Sequence, residues 1–173
     1  PQIRANKSII SLKYPKVGTL PFSNLPFQYS KTPIVMRPGP LPGQNTDQIL
    51  KDGWGRNGVT KPKRYFGPKG LMEKGVLDGV TVVDMTQGLA GPYSSLILAD
   101  AGARVIKVEP PEGDYARNFW PPMADGVSAT FFHLNRNKEG LRLDIRKPEG
   151  QKYLLGLLRD ADVFIEEEGQ RRL

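Results

Sequence analysis

Two regimes of apolar spacing divide the chain near residue 77. Downstream of it, short β-branched runs alternate with stretches of helical spacing. Val80-Thr81-Val82-Val83-Asp84 has the composition of a strand buried on both faces. Thr86-Gln87-Gly88-Leu89-Ala90-Gly91-Pro92 follows as a turn, with Pro92 placed to begin a helix over 93–100 that Gly102 ends. Residues 104–108 form a second strand. A long loop holding Pro110, Pro111, Gly113, Pro121 and Pro122 leads to a third strand over 141–145. Pro148 opens a second helix, in which Tyr153, Leu154, Leu157 and Leu158 share one face. Residues 162–165 read as a fourth strand. This order predicts an α/β fold: a Rossmann-like parallel sheet with flanking helices and right-handed crossovers.

Upstream of residue 77 the pattern is different. Residues 1–52 are Pro-rich and read as short extended pieces, with strands near 8–14 and 17–22 and a turn at Tyr14-Pro15-Lys16. Pro33, Pro38, Pro40 and Pro42 exclude regular structure between them. A short helix begins with Asn45 or Thr46 as its cap. Residues 53–76 are rich in glycine and in lysine and arginine, the composition of a solvated linker. The irregular Pro-rich segment is expected to pack on the sheet built by 77–173.

Charge sharpens this division. The 173 residues carry a net +7, made of +10 over residues 1–75 and −3 over 76–173. A basic linker without a fold around it is read as solvated, so no nucleic-acid partner is expected. No apolar run approaches the roughly 18 residues that span a bilayer, and no membrane partner is expected. The first residues lack the apolar core of a signal peptide, and a cytoplasmic location is expected. The absent initiator Met suggests a piece of a longer chain. Without cysteine, disulfides, thiolate metal sites and Cys nucleophiles are excluded. A single histidine, His133, argues against a His-rich metal site or a Ser-His-Asp triad, and no metal is expected. His133, beside Phe131 and Phe132, reads as a packed loop residue in preference to a base. Trp120, before Pro121-Pro122, reads as a cap on the core in preference to an adenine-stacking ring.

Five segments in order resemble the opening of the class III (CaiB/BaiF-type) CoA-transferases: 77–84 with Leu89-Ala90-Gly91-Pro92; 99–111; Asn135-Arg136-Asn137-Lys138; Leu143-Asp144 with Pro148-Glu149-Gly150; and Ala161-Asp162-Val163-Phe164-Ile165-Glu166. Pro1-Gln2-Ile3-Arg4-Ala5, Pro26-Phe27, Ser30-Lys31-Thr32-Pro33 and Pro40-Leu41-Pro42-Gly43-Gln44-Asn45-Thr46-Asp47-Gln48-Ile49-Leu50 resemble the other end of the same family. The chain thus reads as a C-terminal-type segment (1–52), a linker (53–76) and an N-terminal-type half (77–173). A window across a tandem fusion and a permuted gene both fit that order, and the fusion is preferred.

The resemblance implies transfer of coenzyme A between carboxylic acids by an interlocked homodimer, with acyl-CoA and a carboxylic acid as small-molecule partners. An aspartate attacks the acyl-CoA thioester, and the resulting anhydride and thiolate give an aspartyl-CoA thioester. In the family order that aspartate lies beyond Leu173, so no catalytic residue is assigned here. The resemblance does imply part of a CoA site. Leu89 and Ala90 match a loop that touches CoA, although an ordinary β–α turn is the competing reading. Asp144, Ile145, Arg146 and Lys147 match a segment along the nucleotide, where Arg146 and Lys147 pair with phosphates or else form a solvated strand end. Lys138, with Arg136, is a further candidate, and Arg172 matches an Arg-Leu pair. Three departures stand against tight binding or leave it incomplete: Glu166-Glu167-Glu168 replaces a pocket-lining Asn-Phe-Arg-Pro-Gly, several residues are missing before Arg172, and Pro110 stands where racemases carry an arginine. An acyl-CoA racemase or lyase on the same fold, and a non-catalytic module serving assembly, remain as alternatives.

Overall fold

The computed structural model describes residues 2–14, 18–25, 29–30, 32, 34–52, 75–122 and 127–167. Most of the predicted linker, Arg172, and Pro1, Pro26-Phe27, Lys31 and Pro33 of the family-like segments lie outside them. The chain begins with a single helical turn, α1 (Gln2–Ala5), and an antiparallel hairpin of β1 (Ile9–Tyr14) and β2 (Gly18–Ser23). Next comes α2 (Thr46–Asp52). The parallel sheet is built from β3 (Thr81–Asp84), β4 (Arg104–Glu109), β5 (Glu139–Arg142) and β6 (Val163–Ile165), in the order β5-β4-β3-β6. Helix α3 (Ala90–Asp100) joins β3 to β4, α4 (Ala129–Leu134) precedes β5, and α5 (Pro148–Asp160) joins β5 to β6. This is a mixed α/β fold with a four-stranded parallel sheet flanked by helices, as the apolar pattern predicts. Among the described residues, no helix is long and apolar enough to cross a membrane.

Alternation along the strands sorts the sheet's two faces. Val83, Ile106, Val108, Leu141 and Leu143 form one core with Leu154 and Leu157 of α5. Val82 and Val105 form another with Ala99 of α3. Two elements differ from expectation. β5 starts at Glu139 and ends at Arg142, because Asp144 turns the chain: its Oδ1 accepts from the Arg146 N–H at 3.2 Å and its carbonyl from that of Lys147 at 3.2 Å. On α5, Tyr153 lies outside the buried stripe. Gly150 sets the stripe's direction, since a Cβ there would strike the Asp144 carbonyl, and Leu154 and Leu157 follow it inward. The loop after β4 also contains structure that its prolines concealed. A 3-10 turn at Tyr115–Asn118 is capped by Asp114, and α4 is capped by Ser128, whose Oγ accepts from Phe131 N–H at 2.9 Å.

The amino-terminal segment packs on the sheet's edge, on its core and on α4. Beside edge strand β5, Asn45 N–H donates to Gly140 O at 2.9 Å and its Oδ1 accepts from Gly140 N–H at 3.0 Å. Thr46 Oγ1 accepts from Arg142 N–H at 3.0 Å. The polar residues that sequence assigns to helix capping therefore cover an exposed sheet edge. Ile49 of α2 enters the α5-side core, burial that contributes about 1.5–3 kcal/mol. The hairpin forms its own core, in which Leu12, Tyr14 and Phe22 pack on Phe131 and Phe132. There the Tyr14 hydroxyl accepts from Gly39 N–H at 2.9 Å and donates to Phe132 O at 3.4 Å. Burial pushes its pKa up to about 12.

Beneath the β3–α3 turn lies a buried ionic network. The Asp84 carboxylate, fully buried, accepts from Thr86 N–H at 3.0 Å, Thr86 Oγ1 at 2.6 Å, Ser95 Oγ at 2.6 Å and Lys138 Nζ at 3.0 Å. Lys138 also donates to Pro92 O at 2.9 Å and Asn135 Oδ1 at 2.8 Å. Burial works to raise the Asp84 pKa, but Lys138, then Lys107 and the hydroxyl donors, outweigh it and hold it at about 2. Burial, opposed by Asp84, brings Lys138 down to about 8, so both groups are charged at neutral pH.

Two consequences are measurable. Asp84→Asn leaves a buried ammonium without its counter-charge and should lower the urea-unfolding free energy by about 3–5 kcal/mol. Between pH 3.8 and about 2 the folded carboxyl binds fewer protons than the unfolded one. Its stabilisation is therefore complete above about pH 4 and lost as pH falls toward 2. The variant should lack that part of the acid limb, and an identical limb would refute the assignment. Separately, Tyr14→Phe strips Gly39 N–H of its acceptor and should cost about 1–2 kcal/mol in the same titration. An unchanged midpoint would mean that the hairpin does not support the sheet domain.

Candidate functional site

In a parallel sheet of this order, the chain leaves β3 for β4 on one side, while β6 pairs with β3 on the other. The crevice beyond their carboxyl ends is where open α/β sheets place ligands. The chain leaves β3 through Gln87, Gly88 and Leu89. Gly88 has φ +76°, which favours glycine, and a Cβ there would push the Tyr115 hydroxyl aside. Two carboxylates of this chain already occupy the turn's donors. Glu167, just past β6, accepts from Gln87 N–H at 2.7 Å, and Asp114 accepts from Gly88 N–H at 3.0 Å. Asp114 is fixed in turn by Lys107 Nζ at 2.9 Å. It also accepts from Ala116 N–H at 2.8 Å, and its own N–H donates to Glu109 at 3.0 Å. Glu109 pairs through both oxygens with Arg117, at 2.6 and 2.7 Å, and the Arg117 guanidinium lies 3.6 Å over Phe131.

Leu89 and Ala90 are exposed at the start of α3, and both line a groove of about 740 Å³. Its other walls are Leu20, Pro21 and Phe22 from β2, Tyr93 from α3, and Ala129, Thr130, His133 and Leu134 from α4. His133 stacks on Phe22 at 5.7 Å between ring centres, and its Nε2 lies 3.0 Å from Ser23 Oγ. Burial, and next the Arg136 charge, lower its pKa below 6.5, so the imidazole is neutral at pH 7.

The second candidate cluster lies at the same carboxyl edge, past β5. Asp144 Oδ1 accepts from Arg146 Nε at 2.8 Å, and Arg146 Nη1 pairs with Glu112 Oε1 at 2.9 Å. The Arg146 hydrogen bond holds the Asp144 carboxyl below the usual range, and the Arg146 pKa is raised chiefly by the same bond. The Arg146 side chain is 65% exposed, and Lys147 beside it is exposed at the N-cap of α5. Ile145 packs partly buried against the main core.

The structure therefore divides the expected site residues. Leu89 and Ala90 face the groove, Arg146 and Lys147 face solvent along the sheet's carboxyl edge, and Asp144 lies half-buried beneath Arg146. Lys138 is enclosed, its side chain fully buried and its ammonium bound to Asp84, Pro92 O and Asn135. Arg136 is likewise enclosed, paired with Asp100 at 2.7 and 3.1 Å. Trp120, read as a core cap, is 85% exposed and caps nothing. Arg172 lies outside the described residues. Sequence reasoning missed the Ser23–His133 contact, which joins residues 110 positions apart, and the carboxylates Asp114 and Glu112, which carry no local signature.

The family model described as CoA-transferase family III matches residues 77–172. Succinyl-CoA:glutarate CoA-transferase of Mus musculus is 42% identical over 91 residues, covering 52% of this chain and 21% of that one. Succinyl-CoA:mesaconate CoA-transferase of Haloarcula hispanica is 44% identical over 96 residues, covering 53% and 24%. A solved CAIB/BAIF family protein from Brucella suis is 41% identical, with TM-score 0.49 over 53% of this chain and 25% of that one. The chain thus spans about a quarter of the length of the curated relatives it matches. With the family model covering more than half of its residues, this chain belongs to CoA-transferase family III.

Proposed function

We propose that this chain contributes the nucleotide side of a coenzyme A site to an enzyme that moves CoA between carboxylic acids. The observation that carries this reading is positional. The Leu89–Ala90 turn and the Asp144–Lys147 turn stand at the carboxyl edge of one parallel sheet, where α/β folds receive nucleotides. The Arg146 guanidinium and Lys147 ammonium are exposed cations suited to CoA phosphates. The names of the relatives favour transfer over racemisation or lyase chemistry. These residues bind and orient CoA. The covalent step, attack of an aspartate on the thioester, is assigned to no residue of this chain, and the homodimer and the division at 53–76 belong to the same proposal.

A second reading, a module that supports assembly without binding CoA, is favoured by one feature. The donors of the site already hold internal carboxylates: Glu167 on Gln87 N–H, Asp144 and Glu112 on Arg146.

Calorimetric titration of the chain with CoA separates the two. Under the binding reading, CoA binds and Arg146→Glu with Lys147→Glu weakens it at least about tenfold, since two charge-assisted contacts become repulsive. A folded chain that takes up no CoA supports the assembly reading.

A further inference from the structure

The groove beside the Leu89–Ala90 turn differs in chemistry from the charged edge. Phe22, Leu89, Ala129 and Leu134 supply an apolar lining, and the hydrogen-bonding side chains that line it are Tyr93, Thr130 and His133. Among the described residues, no lysine or arginine lines it. His133 is neutral at pH 7, for the reasons given above. A volume of about 740 Å³ lies within the range of small-molecule sites. Such a lining releases free energy on burying methylenes but offers no cation to a carboxylate, whose burial without a partner is costly.

We propose that this groove binds the apolar chain of a medium-length monocarboxylic acyl group and discriminates against dicarboxylic acyl groups. The identification of the ligand as an acyl thioester rests on the CoA reading above, because the groove opens beside the turn assigned to CoA. The apolar preference rests on the lining alone. The relatives named for succinate, glutarate and mesaconate act on dicarboxylates, so this chain's groove implies a different acyl preference.

The test is titration of the full chain with CoA, butanoyl-CoA, octanoyl-CoA and succinyl-CoA, and separately with free octanoate and free succinate. Thr130→Trp and Ala129→Glu, both at partly exposed positions, fill or charge the groove, and thermal melting checks that each variant folds. Octanoyl-CoA should bind about fifteenfold tighter than butanoyl-CoA, four added methylenes each contributing roughly twofold in an open groove. Both variants should erase that difference while leaving CoA affinity in place, and succinyl-CoA should bind no tighter than CoA. Equal affinities for CoA and every thioester would overturn the groove proposal and leave the CoA reading standing. Octanoate binding that both variants abolish, with no binding of CoA, would uphold the groove and overturn the CoA reading. No octanoate binding by a chain that elutes as a dimer would assign the groove to self-association and overturn the proposal.

Discussion

The Asp84–Lys138 ion pair is the constraint around which the rest of the sheet domain is arranged. Two charges removed from water are stable only if nearly every lone pair and proton finds a partner. Satisfying them recruits Thr86 from the turn after β3, Ser95 and the Pro92 carbonyl from α3, and Asn135 from the turn before β5. One carboxylate thereby fixes the exit of β3, the start of α3 and the approach to β5 relative to one another. The neighbouring pairs extend the same logic. Lys107 ties the Thr86 carbonyl to Asp114, Asp114 holds Gly88, and Arg117 holds Glu109. The β3–α3 turn is thus held from below by charged and polar side chains.

The amino-terminal segment meets a different need. A short parallel sheet ending in β5 exposes unpaired backbone groups, and this chain covers them with Asn45 and Thr46 while Ile49 fills the core beneath. Asn137, with φ +64°, ties the two parts together: its side chain accepts from Arg37 N–H at 2.6 Å and donates to Asp100 at 2.6 Å. The hairpin closes the groove from the other side. Neither the covered edge nor the groove's β2 wall exists in residues 75–167 alone. The amino-terminal segment and residues 75–167 thus build both features together.

The four strands and the two long helices were legible because they follow simple periods: β-branched runs between Gly, Pro and helical stripes. The start of β5 was not, since Glu139 and Gly140 have neither branching nor hydrophobicity, and their place in the ladder comes from β4 and Asn45. Asn135-Arg136-Asn137-Lys138 shows the harder limit. Four polar residues in a row look like surface, and two of them looked like phosphate ligands. In the fold they turn inward because Asp84 and Asp100, distant in sequence, wait there as partners. Charge alone cannot separate a buried pair from a solvated side chain. Arg146 and Lys147 were legible as exposed cations because the Asp144 turn and Pro148 around them are local signals.

Pairing within the chain also decides which charges are available to a ligand. Lys107, Arg117, Arg136 and Lys138 are each buried against a carboxylate, so none of these cations can contact a bound anion without breaking its pair. Arg146 is different in degree: Asp144 and Glu112 hold it, but at an exposed site where such pairs contribute little and exchange readily with water. An incoming phosphate has only to compete with weak surface pairs there, whereas at Lys138 it would have to dismantle the support of the β3–α3 turn. Apolar burial at the groove and exchangeable ion pairs at the β5 edge lie on either side of that turn. The sealed charges beneath it keep their positions fixed while both surfaces stay open.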